Sequence, residues 1–256
     1  MGQVICVTSQ KGGVGKTTTA VNLSTALAMA EKNSLLVDCD PQGNATTGVG
    51  IDKSKLSGTL YHSMIGKASA EESIIGTKLD FLKMLPARIE LFRVETELRV
   101  KRDKEKILRN LLNDIREKYD YIIIDSPPSL GLLTVNAIAA ADSLLIPLQC
   151  EFYALEGIST LLKTIKILKR RFNPGVKIKG ILLTMFESEE EICRQIAEAV
   201  RNHFKGLVLK TVIPRDVGLR ESATYGGSLL LKDILAIGAQ RYLCLLYTSP
   251  SPRDRS

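Results

Sequence analysis

A glycine- and lysine-rich segment at residues 10–18 lies between an apolar run at residues 4–7 and a helical pattern. A turn of this composition between a strand and a helix aims several backbone N–H groups at one point. The helix N-terminus adds about half a positive charge there. The spacing fits the phosphate-binding pattern G-x-x-x-x-G-K-[ST]. It predicts that Lys16 reaches the β- and γ-phosphates of a nucleotide and that the Thr17 hydroxyl binds Mg²⁺.

The loop departs from that pattern in one informative way. Gln10 occupies the position of the first glycine, and Lys11 follows it. A second lysine on the loop can serve a nucleotide across a dimer interface. The alternative, a surface turn rich in glycine and lysine, does not require Gly15, Lys16 and Thr17 directly after a strand.

Strand and helix patterns alternate along the rest of the chain. Continuous apolar strands separated by helices indicate a parallel sheet covered on both faces. The predicted class is therefore α/β, a single P-loop NTPase domain with a mostly parallel β-sheet and helices on both faces. The predicted strands are residues 4–7, 34–37, 81–85, 121–124, 143–147, 178–184 and 208–213, and the predicted helices are residues 17–30, 104–118, 155–171 and 189–204.

Composition excludes several classes of protein. The chain has 256 residues, of which 45% are hydrophobic and 25% charged, so a globular domain is expected rather than a disordered segment. Its five cysteines include no C-x-x-C pair, which favours reduced thiols over a disulfide frame or a zinc site. No apolar stretch approaches the roughly 18 residues of a membrane span. Without a signal-like leader, we expect a cytoplasmic protein with no membrane partner; the family resemblance described below implies a bacterial, nucleoid-associated one.

The charge balance favours a polyanionic partner. The net charge is +7, which suits nucleic acid, although a merely soluble basic protein could carry the same charge. Aromatic residues make up only 5% of the chain and tryptophan is absent. This composition is poor for base stacking, so any nucleic-acid contact should be to the phosphates.

Acidic residues follow two of the predicted strands. Asp38 and Asp40 come at the end of residues 34–37, and Asp125 ends the strand at residues 121–124. Ligands of parallel sheets bind beyond the carboxyl ends of the strands. We expect Asp125 to hold Mg²⁺, usually through water, Asp38 to support the metal shell and Asp40 to orient the attacking water. The alternative for the Asp-x-Asp pair is capping of its loop.

Matching segments from residue 4 to residue 243 identify a family. They are residues 11–19, 35–47, 85–87, 119–136, 146–157, 181–185, 211–216 and 238–243. The chain resembles the deviant Walker-A ATPases, and specifically the ParA/Soj proteins that partition chromosomes and plasmids. The resemblance implies ATP and Mg²⁺ as cofactors and a sandwich homodimer that forms on ATP binding.

The resemblance also implies roles for individual residues. The signature lysine, here Lys11, would reach the partner's ATP, Asp40 would promote hydrolysis, and the segment at residues 213–215 would lie by the adenine through backbone contacts. The expected catalytic residues are Lys11, Lys16 and Asp40; the expected ATP-binding residues are Lys11, Gly12, Gly13, Val14, Gly15, Lys16, Thr17, Thr18, Pro214 and Arg215; and the expected metal residues are Thr17, Asp38 and Asp125.

The family binds DNA non-specifically as the ATP dimer, and a ParB-type protein triggers hydrolysis and release. This chain departs from the family pattern at residues 189–191, where three glutamates include a position that usually holds an arginine. Arg194 and Arg220 remain candidates for DNA contact. Lys163, Lys166 and Arg170 on the preceding helix could compensate, or they could form a solvated helix face that interacts with the C-terminal dipole.

Two other functions stay open. One is a positioning ATPase of the same superfamily that acts on a membrane or a protein complex, as cell-division-site positioners do. The other is a small-molecule kinase or synthetase built on the same loop, although no carboxylate clamp for a substrate is evident in the sequence.

The end of the chain has a different character. Residues 244–254 back-translate to a widely used transposon-based sequencing adaptor. We therefore expect an ATPase domain at residues 1–243 with a truncated C-terminal helix, followed by a non-native tail at residues 244–256.

Overall fold

A computed structural model describes residues 2–247 of the chain. Within them, eight strands form one sheet in the order β3-β4-β2-β5-β1-β6-β7-β8. The strands are β1 Gln3–Val7, β2 Ser34–Asp38, β3 Ile75–Gly76, β4 Leu82–Leu85, β5 Tyr121–Asp125, β6 Ser143–Gln149, β7 Lys177–Phe186 and β8 Val208–Pro214. All neighbours pair in parallel except β3 and β4, which are antiparallel at one edge. The predicted α/β class with a mostly parallel sheet is confirmed.

Helices cover both faces of the sheet. They are α1 Lys16–Met29, α2 Asn44–Gly48, α3 Leu60–Met64, α4 Ala70–Ser73, α5 Val94–Glu97, α6 Ile107–Asn113, α7 Leu132–Ala140, α8 Ala154–Phe172, α9 Glu191–His203, α10 Val217–Tyr225, α11 Leu229–Lys232 and α12 Ile237–Tyr247. Buried side chains of α3 to α9 join one core cluster. Buried side chains of α1, α2 and α10 to α12 join a second cluster on the opposite face.

The register aligns the carboxyl ends of the central strands. Val7 at the end of β1 and Asp38 at the end of β2 both lie opposite Asp125 at the end of β5. These strands are almost wholly buried and apolar, as expected for parallel strands covered on both faces. The loop after β1 and both acidic strand ends therefore meet at one edge, as the sequence predicts.

One predicted helix is wrong in detail. Residues 104–118 form α6 flanked by short 3₁₀ turns at Lys104–Lys106 and Arg116–Lys118, rather than one continuous helix. The Asn136 side chain accepts a hydrogen bond from the Leu108 N–H at 3.0 Å and donates one to the Lys104 carbonyl at 2.8 Å. These tertiary bonds occupy backbone groups at the start of the segment. The nine-residue helix α7 is not among the helices predicted from the sequence.

Helix α12 packs against the helix that follows the glycine-rich loop. The Tyr242 hydroxyl lies 3.1 Å from the Thr19 hydroxyl, and Tyr242 is 1% exposed. Asp216 ties the start of α12 to α10, because Oδ1 accepts from the Gly218 N–H and Oδ2 from the Gly238 N–H. Residues 244–247 continue α12, and residues 248–256 of the proposed tail lie outside the described residues. The domain boundary at residue 243 stays a prediction.

The Tyr242–Thr19 pair gives a stability test. Tyr242→Phe removes one buried hydroxyl and leaves Thr19 without that partner, so it should lower the free energy of unfolding by about 1 kcal/mol. Tyr153→Phe is the matched control, because Tyr153 is 68% exposed. Urea unfolding followed by circular dichroism measures both. Equal stability of the two variants would contradict an energetic role for this contact.

Candidate nucleotide-binding site

The glycine-rich loop joins β1 to α1. Gly13 and Gly15 have φ of 77° and 86°, the left-handed region that glycine adopts without a side-chain clash. The Thr184 hydroxyl donates a hydrogen bond to the Val14 carbonyl at 2.9 Å, which attaches the loop to β7. The loop thus delivers its backbone N–H groups to the N-terminus of a 14-residue helix, an arrangement suited to phosphate.

The two loop lysines lie in different environments. Lys16 is buried, and its Nζ donates to the Lys11 carbonyl at 2.9 Å. Desolvation lowers the pKa of Lys16, against the opposing charges of Asp125 and Asp40. The Lys11 side chain is 53% exposed and forms an ion pair with Glu151, which follows β6. The Lys16 side chain therefore lies against its own loop, whereas the Lys11 side chain reaches the segment that follows β6.

Thr17 and Asp125 form the candidate metal site. The Thr17 hydroxyl donates to Asp125 Oδ2 at 2.7 Å. Burial, followed by the nearby charge of Asp38, raises the pKa of Asp125 well above its usual value. Among the described residues, Asp125 Oδ1 is buried without a hydrogen-bond partner. An unpartnered carboxylate oxygen beside a hydroxyl fits Mg²⁺, which takes oxygen ligands and combines one or two carboxylates with substrate phosphates.

Asp38 and Asp40 both bind backbone of their own loop. Asp38 Oδ1 accepts from the Asp40 N–H at 3.1 Å, and Oδ2 accepts from the N–H and hydroxyl of Thr46, both at 2.8 Å. Burial raises the pKa of Asp38 to about 6, although the hydrogen bonds from Thr46 oppose the shift. Asp40 Oδ1 accepts from the Gln42 N–H at 2.9 Å. These contacts agree with the alternative that the Asp-x-Asp pair caps its loop. The metal-supporting role of Asp38 and the water-orienting role of Asp40 stay predictions.

A cavity of about 400 Å³ opens beside the loop. Its lining includes Gly15 and Thr18 from the loop, Pro214 and Arg215 from the end of β8, and Tyr242 from α12. The predicted adenine-side residues thus lie next to the predicted phosphate-side residues. Sequence reasoning assigned no role to Tyr242, although the segment at residues 238–243 had carried part of the family resemblance.

The Arg215 side chain has an acidic neighbour at the edge of the cavity. It forms an ion pair with Glu187, and the Arg215 N–H donates to the Phe186 carbonyl at 3.1 Å. Met185, directly before Phe186 in the chain, has φ of 50°, an uncommon conformation for a residue other than glycine. Strained backbone of this kind clusters at functional sites, which agrees with its position at the cavity.

The candidate DNA-binding residues fall into separate groups. Arg194 on α9 forms an ion pair with Glu191, and Arg220 lies exposed on α10, a helix of the opposite face. The two helices follow β7 and β8, whose carboxyl ends lie at the same edge of the sheet as the glycine-rich loop. Lys163, Lys166 and Arg170 lie exposed along one side of α8, at the three- and four-residue spacing of a helix face. The structure does not gather all five residues into one patch.

No helix among residues 2–247 is long and apolar enough to cross a membrane.

Comparisons with known proteins are consistent with this site. A family model described as an AAA domain matches residues 2–178. The chromosome partitioning protein ParA of Myxococcus xanthus is 49% identical over 100% of this chain and 92% of its own length. The sporulation initiation inhibitor protein Soj of Bacillus subtilis is 46% identical over 96% of this chain and 97% of its own.

A solved structure is similar as well. Cobyrinic acid a,c-diamide synthase from Mycobacterium smegmatis, with bound ADP and magnesium, is 34% identical and superposes with a TM-score of 0.80. The match covers 88% of this chain and 93% of that one.

The Thr17 hydroxyl gives a test of the metal site. Thr17→Val keeps the side-chain shape but removes the oxygen, so it should weaken Mg²⁺-dependent ADP binding about tenfold, or roughly 1.4 kcal/mol. Thr17→Ser keeps the hydroxyl and should behave like the unaltered chain. Isothermal titration with and without Mg²⁺ separates the metal effect from nucleotide contacts. A Thr17→Val variant that keeps the full response to Mg²⁺ would remove this residue from the metal site.

Proposed function

The chain belongs to the ParA/Soj family of chromosome-partitioning ATPases, and from that premise we propose that it is an ATP-dependent DNA-partitioning ATPase. ATP and Mg²⁺ are its cofactors. ATP binding drives formation of a sandwich homodimer, and the dimer binds double-stranded DNA without regard to sequence. A ParB-type protein stimulates hydrolysis, which releases the DNA and returns the chain to the monomer. The protein acts in the cytoplasm on the nucleoid.

The different environments of the two loop lysines carry this proposal. Lys16 is buried beside its own loop, whereas Lys11 is half exposed and paired with Glu151. A lysine in the second position can leave Glu151 and approach the γ-phosphate of ATP on a second copy. Positive charge supplied in trans stabilises the negative charge that develops in phosphoryl transfer and is commonly worth about 10³–10⁵ in rate. Hydrolysis by the monomer should therefore be slow.

The remaining groups have complementary roles in hydrolysis. Thr17 and Asp125 would hold Mg²⁺, with Asp38 supporting them from the next strand. The 2.8 Å hydrogen bonds from Thr46 to Asp38 fix the loop that carries Asp40. Asp40 orients the attacking water in line with the bond that breaks. The ion, when bound, neutralises charge on the phosphate oxygens.

DNA contact in this chain depends on residues that the family pattern only partly preserves. Arg194 is already paired with Glu191, and two further glutamates precede it. Part of the attraction to phosphate at α9 is therefore cancelled before DNA arrives. Arg220 and the exposed face of α8 with Lys163, Lys166 and Arg170 provide the remaining positive charge. Dimerisation doubles each of these groups, so that two weak surfaces act together.

The same ion pair favours the second candidate function, a positioning ATPase that acts on a protein complex or membrane rather than on DNA. If the cancelled charge at α9 prevents DNA binding, the nucleotide cycle would serve that role. A synthetase is the third candidate, and a solved structure named as a diamide synthase matches this chain at 34% identity. The partition proteins match at 49% and 46% over nearly the whole chain, which supports partition over synthesis.

Lys11 tests the dimer mechanism. Lys11→Ala should bind ATP with nearly unchanged affinity, because Lys16 still contacts the phosphates of the nucleotide. The variant should nevertheless remain monomeric, and its ATPase activity should fall by about 10³-fold or more. Asp40→Ala is the contrasting variant, because it keeps Lys11 and should accumulate a long-lived ATP dimer. Light scattering coupled to size exclusion, with ATP and Mg²⁺, measures both. Normal dimerisation and turnover by Lys11→Ala would refute the trans mechanism.

DNA binding tests the proposed cargo. Binding to random-sequence duplex should require ATP and should fall with salt, with a log–log slope of about −0.9 per phosphate neutralised. Arg220→Ala should weaken it and flatten that slope, while Glu191→Gln should strengthen it by releasing Arg194. Arg102→Ala, an exposed arginine outside the candidate set, is the charge control. Fluorescence anisotropy at several salt concentrations gives the slope. No ATP-dependent binding at low salt would favour the positioning function.

A further inference from the structure

A second concave site lies at the end of the sheet opposite the glycine-rich loop. Its volume is about 620 Å³, within the range of small-molecule sites. It is bounded by the amino ends of β1, β6 and β7 and by the segment around α6. Its lining includes four basic residues and one serine: Arg109, Arg116, Lys177, Lys179 and Ser143.

Positive charge exceeds negative charge in this cavity. Asp142 is the acidic member of the lining. Its Oδ2 accepts from Arg116 Nη2 and from the Val4 N–H, both at 2.8 Å, so it offsets one cation at most. Within residues 2–247, the side chains of Arg109 and Lys177 form no ion pair. Arg109 and Lys177 are therefore two cations of the lining without a matching acid, a combination that attracts an anion.

Two buried polar atoms of the lining residues have no partner. Ser143 is 7% exposed, and its Oγ makes no hydrogen bond within the described part of the chain. The same holds for Nε of Arg116, although Nη2 donates to the Gly2 carbonyl at 2.7 Å. Buried polar groups in folded proteins almost always have a partner. Two exceptions beside one basic cavity point to a ligand with several acceptor oxygens.

The alternative is that these basic side chains serve the C-termini of nearby helices. The end of α7 does not need them. The Asn173 amide donates to the carbonyls of Ile138, Ala139 and Ala141 at 3.2, 3.0 and 2.7 Å. The carbonyls with which a cation would otherwise interact are thus already bonded. Capping of α7 therefore does not account for the positive charge of the cavity.

We propose that this cavity is a binding site for a small phosphorylated molecule. Arg109 and Lys177 at the rim supply charge, and the unpartnered polar groups of Ser143 and Arg116 belong to residues that line the same cavity. Charge-assisted bonds to phosphate are the strong ones for this ligand class. The concave shape and the burial of Ser143 favour a compact anion that can enter, over the backbone of a duplex. The site is separate from the nucleotide loop, which lies at the carboxyl ends of the same strands.

An amide NMR titration tests the site by position. Inorganic pyrophosphate is added to the ¹⁵N-labelled protein in buffer without Mg²⁺. The amides of residues 142–144 and 177–179 should shift and saturate together, separately from any change at residues 12–18. The double variant Arg109→Ala, Lys177→Ala should raise the Kd at the cavity by about tenfold or more for two lost charges, while the response at residues 12–18 stays unchanged.

The matched control is Lys101→Ala, Arg102→Ala, which removes the same charge from exposed positions outside the lining. It should titrate like the unaltered protein. If the double variant has a lower Tm than the unaltered protein in the absence of ligand, the single variant Lys177→Gln is titrated in its place. Shifts confined to residues 12–18, or an equal loss in the control, would overturn the proposal. So would a response of the cavity amides to short duplex DNA but not to pyrophosphate, which would assign the surface to nucleic acid.

Discussion

The hydrogen bond from the Thr17 hydroxyl to Asp125 joins the first turn of α1 to the end of the central strand β5. It fixes the helix that follows the glycine-rich loop relative to the sheet. The bond from Thr184 to the Val14 carbonyl holds the other side of the loop to β7. The backbone N–H groups of the loop can point at one position only because both attachments hold. The rest of the site is arranged around that position.

Around it the protein concentrates charge in a setting that excludes water. Asp38 and Asp125 are fully buried, and burial raises the pKa of each. Lys16 is buried beside them, and its pKa is lowered by the same cause. Burial thus disfavours the charged form of each of these groups. A magnesium ion and phosphate groups supply the missing partners, so the bound nucleotide completes an electrostatic arrangement that the chain leaves unbalanced.

The sequence predicted the parts of the fold that depend on local pattern and parallel pairing. Apolar strands ending in Asp38 and Asp125 could be placed at one edge because parallel strands align their carboxyl ends there. The separate turn at the start of residues 104–118 could not be predicted, because the Asn136 side chain that bonds Lys104 and Leu108 lies about 30 residues away in the sequence. The pairing of Lys11 with Glu151 and of Arg194 with Glu191 likewise depends on side-chain positions after folding. The cavity at the amino ends of the strands carries no sequence motif at all.

The packing of α12 against α1 has a consequence for synthesis of the chain. Tyr242 lines the cavity beside the loop and contacts Thr19, so two segments 223 positions apart in the sequence meet in one pocket. Strand β1 must also wait for β5 and β6, its neighbours on either side. Such long sequence separations delay folding until most of the chain is available. A nascent chain therefore carries its glycine-rich loop long before the cavity beside that loop is complete, because the cavity needs Tyr242 of α12.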